Sequence, residues 1–230
     1  MKKDGDEMNV ENKEKCRYDY VLFDLDGTLT QSAPGIRRCI ELTLEHMGKK
    51  VPDLSDYSKY IGPPLIKTFM GLCGLGEDDA KYALSYYLKI YDTEGEPLNE
   101  LFEGTTHLLE RLKNSTAKFA VCSSKYQGSV DKVCAFLGIT DYFNVLCGSD
   151  GTAKRREKED IIPYAISSLG GEKNASVVMI GDTFFDAKGA AFNKVDFIGV
   201  TYGYGKKEAM ENEGATVFAD SVADLEQMLF

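Results

Sequence analysis

The chain has 230 residues and a formal net charge of −10, and this length is enough for one large core with a small additional domain. Its content of 43% hydrophobic and 28% charged residues is ordinary for a globular protein. The acidic surplus argues against nucleic acid as a partner, because proteins that bind nucleic acid present a basic face.

The sequence gives no indication of a membrane span or a secretory signal. No apolar run approaches the ~18–20 residues that a membrane span needs, and the polar start MKKDGDEMNVENKEK lacks the apolar stretch of a secretory signal. We therefore expect residues 1–16 to form a flexible polar tail. Cys122, Cys134 and Cys147 lie in apolar stretches, which suits reduced, buried thiols in a cytoplasmic protein. The six cysteines include no C-x-x-C pair, so they offer no usable spacing for a zinc site.

Short apolar runs alternate with helix-like segments along most of the chain. The predicted strands are 20–23, 119–122, 145–147, 177–180 and 197–200. The predicted helices between them are 106–113, 128–137, 160–169 and 185–193. Uninterrupted apolar runs suit strands that are buried on both faces of a parallel sheet. The alternation predicts an α/β, doubly wound, Rossmann-like core of about five parallel strands, made by residues 17–30 and 104–230.

Residues 31–103 break this alternation and have a helical pattern instead. Ile36, Cys39, Ile40 and Leu44 follow the i, i+3, i+4 spacing of an amphipathic helix. An insertion of roughly seventy residues is too long for a loop. We therefore predict an inserted α-helical cap domain.

Two acidic pairs follow predicted strands. Asp24 and Asp26 come directly after the first strand, and Asp182 and Asp186 come after the fourth. The carboxyl edge of an open parallel sheet is where such folds bind ligands. An acidic turn is the alternative for the first pair, because Asp-Gly is a common turn pair.

A lysine and two hydroxyls are expected at the same edge of the sheet. Ser123 and Ser124 end the second strand, and Lys158 opens the helix before the fourth strand. Lys154, in the loop before Lys158, is the alternative lysine. The basic run 154–156 is compatible either with guiding anions or with a solvated loop.

In this order and spacing, these residues resemble the four motifs of the haloacid dehalogenase superfamily, in its phosphatase branch with a helical cap. Asp24 and Asp26 match the first motif, D-x-D-G-T, and Ser123 matches the second. Lys158 matches the third motif, and Asp182 with Asp186 matches the fourth, G-D-x-x-x-D. The resemblance implies a magnesium-dependent phosphatase that acts on a small phosphorylated metabolite, as a monomer or homodimer, without a nucleic-acid or membrane partner.

The resemblance also implies the chemistry of each residue. Asp24 attacks the phosphorus and forms an aspartyl-phosphate. Asp26 protonates the leaving oxygen and then deprotonates the attacking water. Ser123 and Lys158 hold the phosphoryl oxygens as charge shifts.

The implied Mg²⁺ ligands are Asp24, the main-chain carbonyl of Asp26, and Asp182, with Asp186 orienting a ligand or a metal-bound water. Four carboxylates and one lysine leave a surplus of negative charge that repels phosphate. The metal is therefore expected to be required for binding the substrate as well as for reacting with it.

The cap supplies the candidate substrate-binding residues. Gly62, Pro64 and Leu65 resemble the G-x-P-L segment that faces the active site in phosphoglycolate phosphatase-like caps, and Ser124 is the candidate from the core. A simple turn into a helix is the alternative for the cap loop.

Phosphoglycolate is the substrate that the resemblance favours, and pyrophosphate or a nucleoside monophosphate (5'-nucleotidase activity) stays open. A phosphomutase like beta-phosphoglucomutase is a second class. Residues 30–36 lack the histidine which that family carries after its first motif, and this counts against it. A non-catalytic phosphate-binding protein is a third class, opposed by the complete set of carboxylates.

Overall fold

The computed structural model describes residues 13–151 and 154–230. The strands are β1 Tyr20–Phe23, β2 Thr30–Gln31, β3 Glu100–Leu101, β4 Lys118–Tyr126, β5 Val145–Ser149, β6 Val177–Gly181, β7 Asp196–Val200 and β8 Phe218–Ala219. The helices are α1 Ala33–His46, α2 Leu65–Gly71, α3 Glu77–Ile90, α4 Thr105–Lys113, α5 Gln127–Phe136, α6 Lys158–Ser168, α7 Phe184–Asn193, α8 Lys207–Asn212 and α9 Val222–Leu229.

A parallel sheet of six strands forms the centre of the core, in the order β5-β4-β1-β6-β7-β8. Along β1, Val21 and Phe23 pack on one face, whereas Tyr20 and Leu22 pack on the other, as the two-residue period of a strand requires. Helices α4, α5 and α9 cover the first face, and α6 and α7 cover the second. The predicted doubly wound α/β core is confirmed.

The five predicted strands are present, and the sixth was missed. Strand β8, Phe218–Ala219, has only two residues, too few to show a periodic pattern. Strand β4 runs to Tyr126, beyond the apolar run that identified it. Its extra residues lie at the carboxyl end of the sheet, where they line a cavity between core and cap.

The segment predicted as a cap contains α1, α2 and α3 with short helical turns between and after them. Strands β2 and β3 pair antiparallel, with Thr30 opposite Leu101 and Gln31 opposite Glu100. The two connections between this segment and the core therefore run side by side. These short strands were not predicted, and they lie near the expected cap boundaries at residues 31 and 103, which stay a prediction.

The first twelve residues of the expected tail lie outside the described residues. The peptide of Glu14 is bound to the core, since its N–H donates to Asn114 (3.3 Å) and its carbonyl accepts from the N–H of Thr116 (2.9 Å). Cys16 is only 5% exposed within the main apolar cluster. The core boundary expected at residue 17 therefore lies earlier, because this segment pairs with the turn before β4.

Two further expectations concern thiols and membranes. Cys122, Cys134 and Cys147 are buried free thiols, as their apolar surroundings predicted. Among residues 13–151 and 154–230, none of the helices combines the length and apolar character needed to cross a bilayer.

Candidate active site

The register of the sheet brings the motif residues together. Phe23 of β1 lies opposite Val121 of β4 and Ile180 of β6. Asp24 follows at once, and its N–H donates to the carbonyl of Ile180 (2.8 Å). Ser123 and Asp182 each lie two residues beyond these partners. The acidic pairs and the hydroxyl therefore meet at the carboxyl edge, as expected for parallel strands.

Three carboxylates form a buried cluster. Asp24, Asp182 and Asp186 each place one oxygen within 4.8 Å of the others, and they are 4%, 0% and 0% exposed. Asp186 lies in the first turn of α7 and accepts from the N–H (3.0 Å) and the hydroxyl (2.7 Å) of Thr183. This reciprocal capping fixes both the start of α7 and the orientation of Asp186.

Asp182 is held by groups that the sequence reading did not assign. Its Oδ2 accepts from the N–H groups of Tyr204 (2.7 Å) and Gly205 (3.3 Å), and its Oδ1 accepts from the hydroxyl of Thr28 (3.3 Å). Gly27 has φ +89, and a Cβ there would collide with this carboxylate. Glycine is therefore required at position 27, because the backbone there lies too close to the Asp182 carboxylate for a side chain.

Lys158 lies buried among the carboxylates. Its ammonium lies 2.8 Å from Asp24 Oδ1 and 2.5 Å from Asp186 Oδ1, and it donates to the carbonyl of Cys122 (2.7 Å). Its side chain is 2% exposed, whereas Lys154 is exposed. This geometry favours Lys158 over Lys154 as the lysine of the third motif, and the assignment stays a prediction.

Burial perturbs the ionisation of these groups. Burial raises the pKa of Asp24 to about 6, although the ammonium of Lys158 opposes this shift. Burial, together with Asp186 and Asp24, raises the pKa of Asp182 well above its ordinary value. Burial alone would lower the pKa of Lys158, but the carboxylates of Asp186 and Asp24 raise it overall.

The carboxylate cluster fits a magnesium ion. Mg²⁺ prefers carboxylate oxygens, and Asp24, Asp182 and Asp186 offer three such groups around one point. A buried surplus of negative charge is unstable without a compensating cation. The carboxylate of Asp26 points elsewhere, toward a lysine, so its main-chain carbonyl as a ligand stays a prediction.

Lys125 also lies at the site, although it was not among the site residues predicted from the sequence. Its ammonium lies 3.1 and 3.3 Å from the two carboxylate oxygens of Asp26 and 3.0 Å from the hydroxyl of Tyr91. Burial would lower the pKa of Lys125, but the Asp26 carboxylate and the Tyr91 hydroxyl raise it overall. The spacing from Ser123 was the available signal, because residues two apart on a strand share a face.

A cavity of about 640 Å³ lies between the core and the helical segment. All predicted catalytic and substrate-binding residues except the buried Lys158 line it: Asp24, Asp26, Gly62, Pro64, Leu65, Ser123 and Ser124. Ser123 is 2% exposed, and its hydroxyl accepts from the N–H of Lys125 (3.3 Å). The cap side of the cavity is mostly apolar, with Ile61, Ile66, Met70, Leu84, Tyr87 and Leu88.

The cap loop contacts the core beside the carboxylate cluster. Gly62 has φ +105, and a Cβ there would lie 2.9 Å from the methyl group of Thr183. Pro64 directly precedes α2. The loop is therefore a turn into a helix that also lines the cavity. Substrate binding by its residues stays a prediction.

A family model described as haloacid dehalogenase-like hydrolase matches residues 21–200. A 5'-nucleotidase of Pseudomonas aeruginosa is 33% identical over 93% of this chain and 96% of its own length. The tyrosine-protein kinase PtkA of Mycobacterium tuberculosis is 34% identical over 86% of this chain and 67% of its own length.

A phosphoglycolate phosphatase of Cereibacter sphaeroides is 28% identical over 80% of this chain and 85% of its own length. Among solved structures, one described as a predicted phosphatase from Clostridium acetobutylicum has a TM-score of 0.84 and 38% identity, covering 91% of this chain and 97% of that one. The curated relatives differ in the activity they are named for.

Proposed function

The chain belongs to the haloacid dehalogenase-like hydrolase family and is a phosphatase, and we propose that it hydrolyses a small phosphate monoester through an aspartyl-phosphate on Asp24. The observation that carries this proposal is the position of the Asp24 carboxylate. It lines the cavity and is paired with Lys158 at 2.8 Å. A buried nucleophile beside a fixed cation is arranged for attack on a phosphorus atom.

In the first step, an oxygen of Asp24 forms a bond to phosphorus while the bond to the leaving oxygen breaks. The hydroxyl of Ser123 donates to a phosphoryl oxygen. The ammonium of Lys158 supports the negative charge at the reacting centre, and it needs no rearrangement because three fixed acceptors already hold it.

Asp26 moves the protons. It donates a proton to the leaving oxygen and later accepts one from the water that attacks the aspartyl-phosphate. In this second step the bond between phosphorus and the Asp24 oxygen breaks, which releases inorganic phosphate and the free carboxylate. Its side chain is 13% exposed and lines the same cavity as Asp24. It can therefore reach a leaving group that lies on the cap side.

Asp24, Asp182 and Asp186 are the residues that would hold Mg²⁺, with the main-chain carbonyl of Asp26 as a further ligand. When bound, this ion would supply positive charge that lets an anionic substrate approach anionic side chains. The capping contacts of Asp186 and the backbone donors to Asp182 fix these carboxylates, so they need little reorganisation to bind the ion.

The cavity favours a second candidate substrate over phosphoglycolate. Its volume of about 640 Å³ and its apolar cap wall suit a larger leaving group than the two-carbon glycolate, which has only one methylene group as apolar surface to bury. A nucleoside 5'-monophosphate fits this space. The 5'-nucleotidase relative, which aligns over almost the whole chain, supports the same candidate.

Rapid quenching with a radiolabelled phosphate ester tests the proposal. We expect the label on Asp24, and we expect Asp24→Asn to lose at least about 1,000-fold in turnover while remaining folded. Asp53→Asn is the matched control, because Asp53 is exposed and outside the cavity. Near-normal turnover by Asp24→Asn would overturn the mechanism.

Substrate identity needs a separate measurement. We expect kcat/KM to rank nucleoside 5'-monophosphates above phosphoglycolate and pyrophosphate in the presence of Mg²⁺. The opposite ranking would favour phosphoglycolate as the substrate and would not affect the role proposed for Asp24.

A further inference from the structure

Lys125 contacts both Asp26, in the core, and Tyr91, in the cap. It lies at the end of β4 and reaches both oxygens of Asp26 at 3.1 and 3.3 Å. The same ammonium lies 3.0 Å from the hydroxyl of Tyr91 and 4.4 Å from the centre of its ring. The side chain of Lys125 is only 10% exposed, so the contacts are shielded from water.

Tyr91 is fixed by its surroundings in the cap. It is 1% exposed and stacks on Tyr87, with 5.4 Å between the ring centres. Its hydroxyl also accepts from the side-chain amide of Asn99 (3.3 Å), which donates to the carbonyl of Gly95 (3.1 Å). The position of the hydroxyl is therefore set by the cap backbone.

The two buried lysines pair with different carboxylates. Lys158 lies against Asp24 and Asp186, whereas Lys125 lies against Asp26. Asp26, the proposed acid–base residue, thus pairs with Lys125, whereas Asp24, the proposed nucleophile, pairs with Lys158.

We propose that Lys125 is a positioning residue for Asp26, and that the hydroxyl of Tyr91 holds Lys125 in place, so that the cap helps to set the geometry of proton transfer. This inference rests on the proposed function. In the first step, the proton of Asp26 passes to the leaving oxygen as the bond to phosphorus breaks. The carboxylate that results is stabilised by the ammonium, which keeps its own protons throughout.

The same contact supports the second step. Asp26 takes a proton from the water that attacks the aspartyl-phosphate, and two contacts from one ammonium restrict the rotation of its carboxylate. If the carboxyl group of Asp26 rotated freely, it would spend less time aligned with the leaving oxygen or with the oxygen of the attacking water. Both proton transfers would then be slower.

Leaving-group dependence distinguishes this role from a structural one. Single-turnover phosphorylation should be measured with an alkyl phosphate, whose leaving oxygen needs a proton, and with an activated aryl phosphate, which needs it less. We expect Lys125→Met to slow the alkyl phosphate about 100-fold and the aryl phosphate at most about 10-fold. Lys125→Arg should recover about 10-fold for the alkyl phosphate, because it restores the charge.

Tyr91→Phe tests the contact with the cap, because it removes the hydroxyl and keeps the ring. We expect a loss of about 5-fold, again larger for the alkyl phosphate. The double variant Tyr91→Phe/Lys125→Met should be no slower than Lys125→Met, since contacts in one network are not additive. Lys118→Met, at the other end of β4, and Tyr82→Phe, an exposed cap tyrosine, are the matched controls and should leave both rates unchanged.

Equal losses for both substrates in Lys125→Met, or additive losses in the double variant, would overturn the inference. If Lys125→Met does not fold, Lys125→Arg and Tyr91→Phe decide the question by the same substrate comparison. The absence of labelled Asp24 in the wild type would instead contradict the proposed function, so the two failures are distinguishable.

Discussion

The ammonium of Lys158 lies 2.8 Å from Oδ1 of Asp24, and both side chains are buried. This pair predicts a large effect on stability. Lys158→Met leaves Asp24 and Asp186 without their shared cation, and an unpaired buried charge is strongly unfavourable. We expect a loss of about 3–5 kcal/mol in the free energy of unfolding, measured by urea denaturation without metal.

Lys173→Met is the control for this variant, because it removes the same charge from an exposed loop position. Its free energy of unfolding should change by no more than about 0.5 kcal/mol. Equal stability of the two variants would contradict the assignment of Lys158 as the lysine of the third motif.

The raised pKa of Asp24 predicts how the stability of the metal-free protein changes with pH. The pKa of Asp24 is raised to about 6 in the folded protein, above the ~3.9 of an unfolded chain. Below about pH 4 the carboxyl is protonated in both states and its burial carries no penalty. As the pH rises through about 6, the unfolded chain ionises more readily than the folded one, so stability is lost.

Asp24→Asn cannot titrate and therefore isolates this effect. Relative to that variant, the free energy of unfolding of the wild type in EDTA should fall by about 2–3 kcal/mol between about pH 4 and pH 7, as the raised pKa of Asp24 implies. Added Mg²⁺ should reduce the loss, because a bound cation offsets the ionised carboxylates. A difference that does not vary with pH would contradict the burial of an ionisable Asp24.

The strands and the motif residues were predictable because each depends on local pattern. Buried parallel strands are continuous apolar runs, and Asp24 and Asp182 directly follow two of them. The register that pairs Phe23 with Ile180 then places both aspartates at one edge of the sheet. Lys158 was chosen as the candidate lysine for a similar reason, since a helical pattern begins directly after that residue.

The features that were missed depend on contacts between distant segments. Lys125 contacts Tyr91, which lies in the cap, and no local pattern pairs them. The backbone donors from Tyr204 and Gly205 to Asp182 come from a loop after a different strand. The size of the cavity likewise depends on how the cap packs, so the preference for phosphoglycolate came from a resemblance alone.

The role of Asp26 predicts a dependence on the leaving group. Asp26→Asn cannot donate a carboxylic proton, so alkyl phosphates should lose about 100–10,000-fold in the rate of phosphorylation. Activated aryl phosphates should lose less, because their leaving oxygen is stable without a proton. Single-turnover rates measure this step directly, with Asp53→Asn as the control. Equal losses for both classes would show that Asp26 is not the acid.

The cap loop predicts a change in substrate preference. Leu65 lines the same cavity as Asp24 and Asp26, so we expect a leaving group in that cavity to contact it. Leu65→Ala removes apolar surface from that wall, so kcat/KM for a nucleoside 5'-monophosphate should fall about 10-fold. Hydrolysis of a small aryl phosphate should fall less, because it fills less of the cavity.

Leu98→Ala is the matched control for Leu65→Ala, because Leu98 lies in the same inserted segment and is 45% exposed. The comparison should be repeated with Pro64→Ala, since Pro64 sets the start of α2 and therefore the position of Leu65. An unchanged ranking of substrates in both cavity variants would remove this loop from the determinants of specificity. The carboxylate cluster and Lys158 would be unaffected by that result, because their contacts lie entirely within the core.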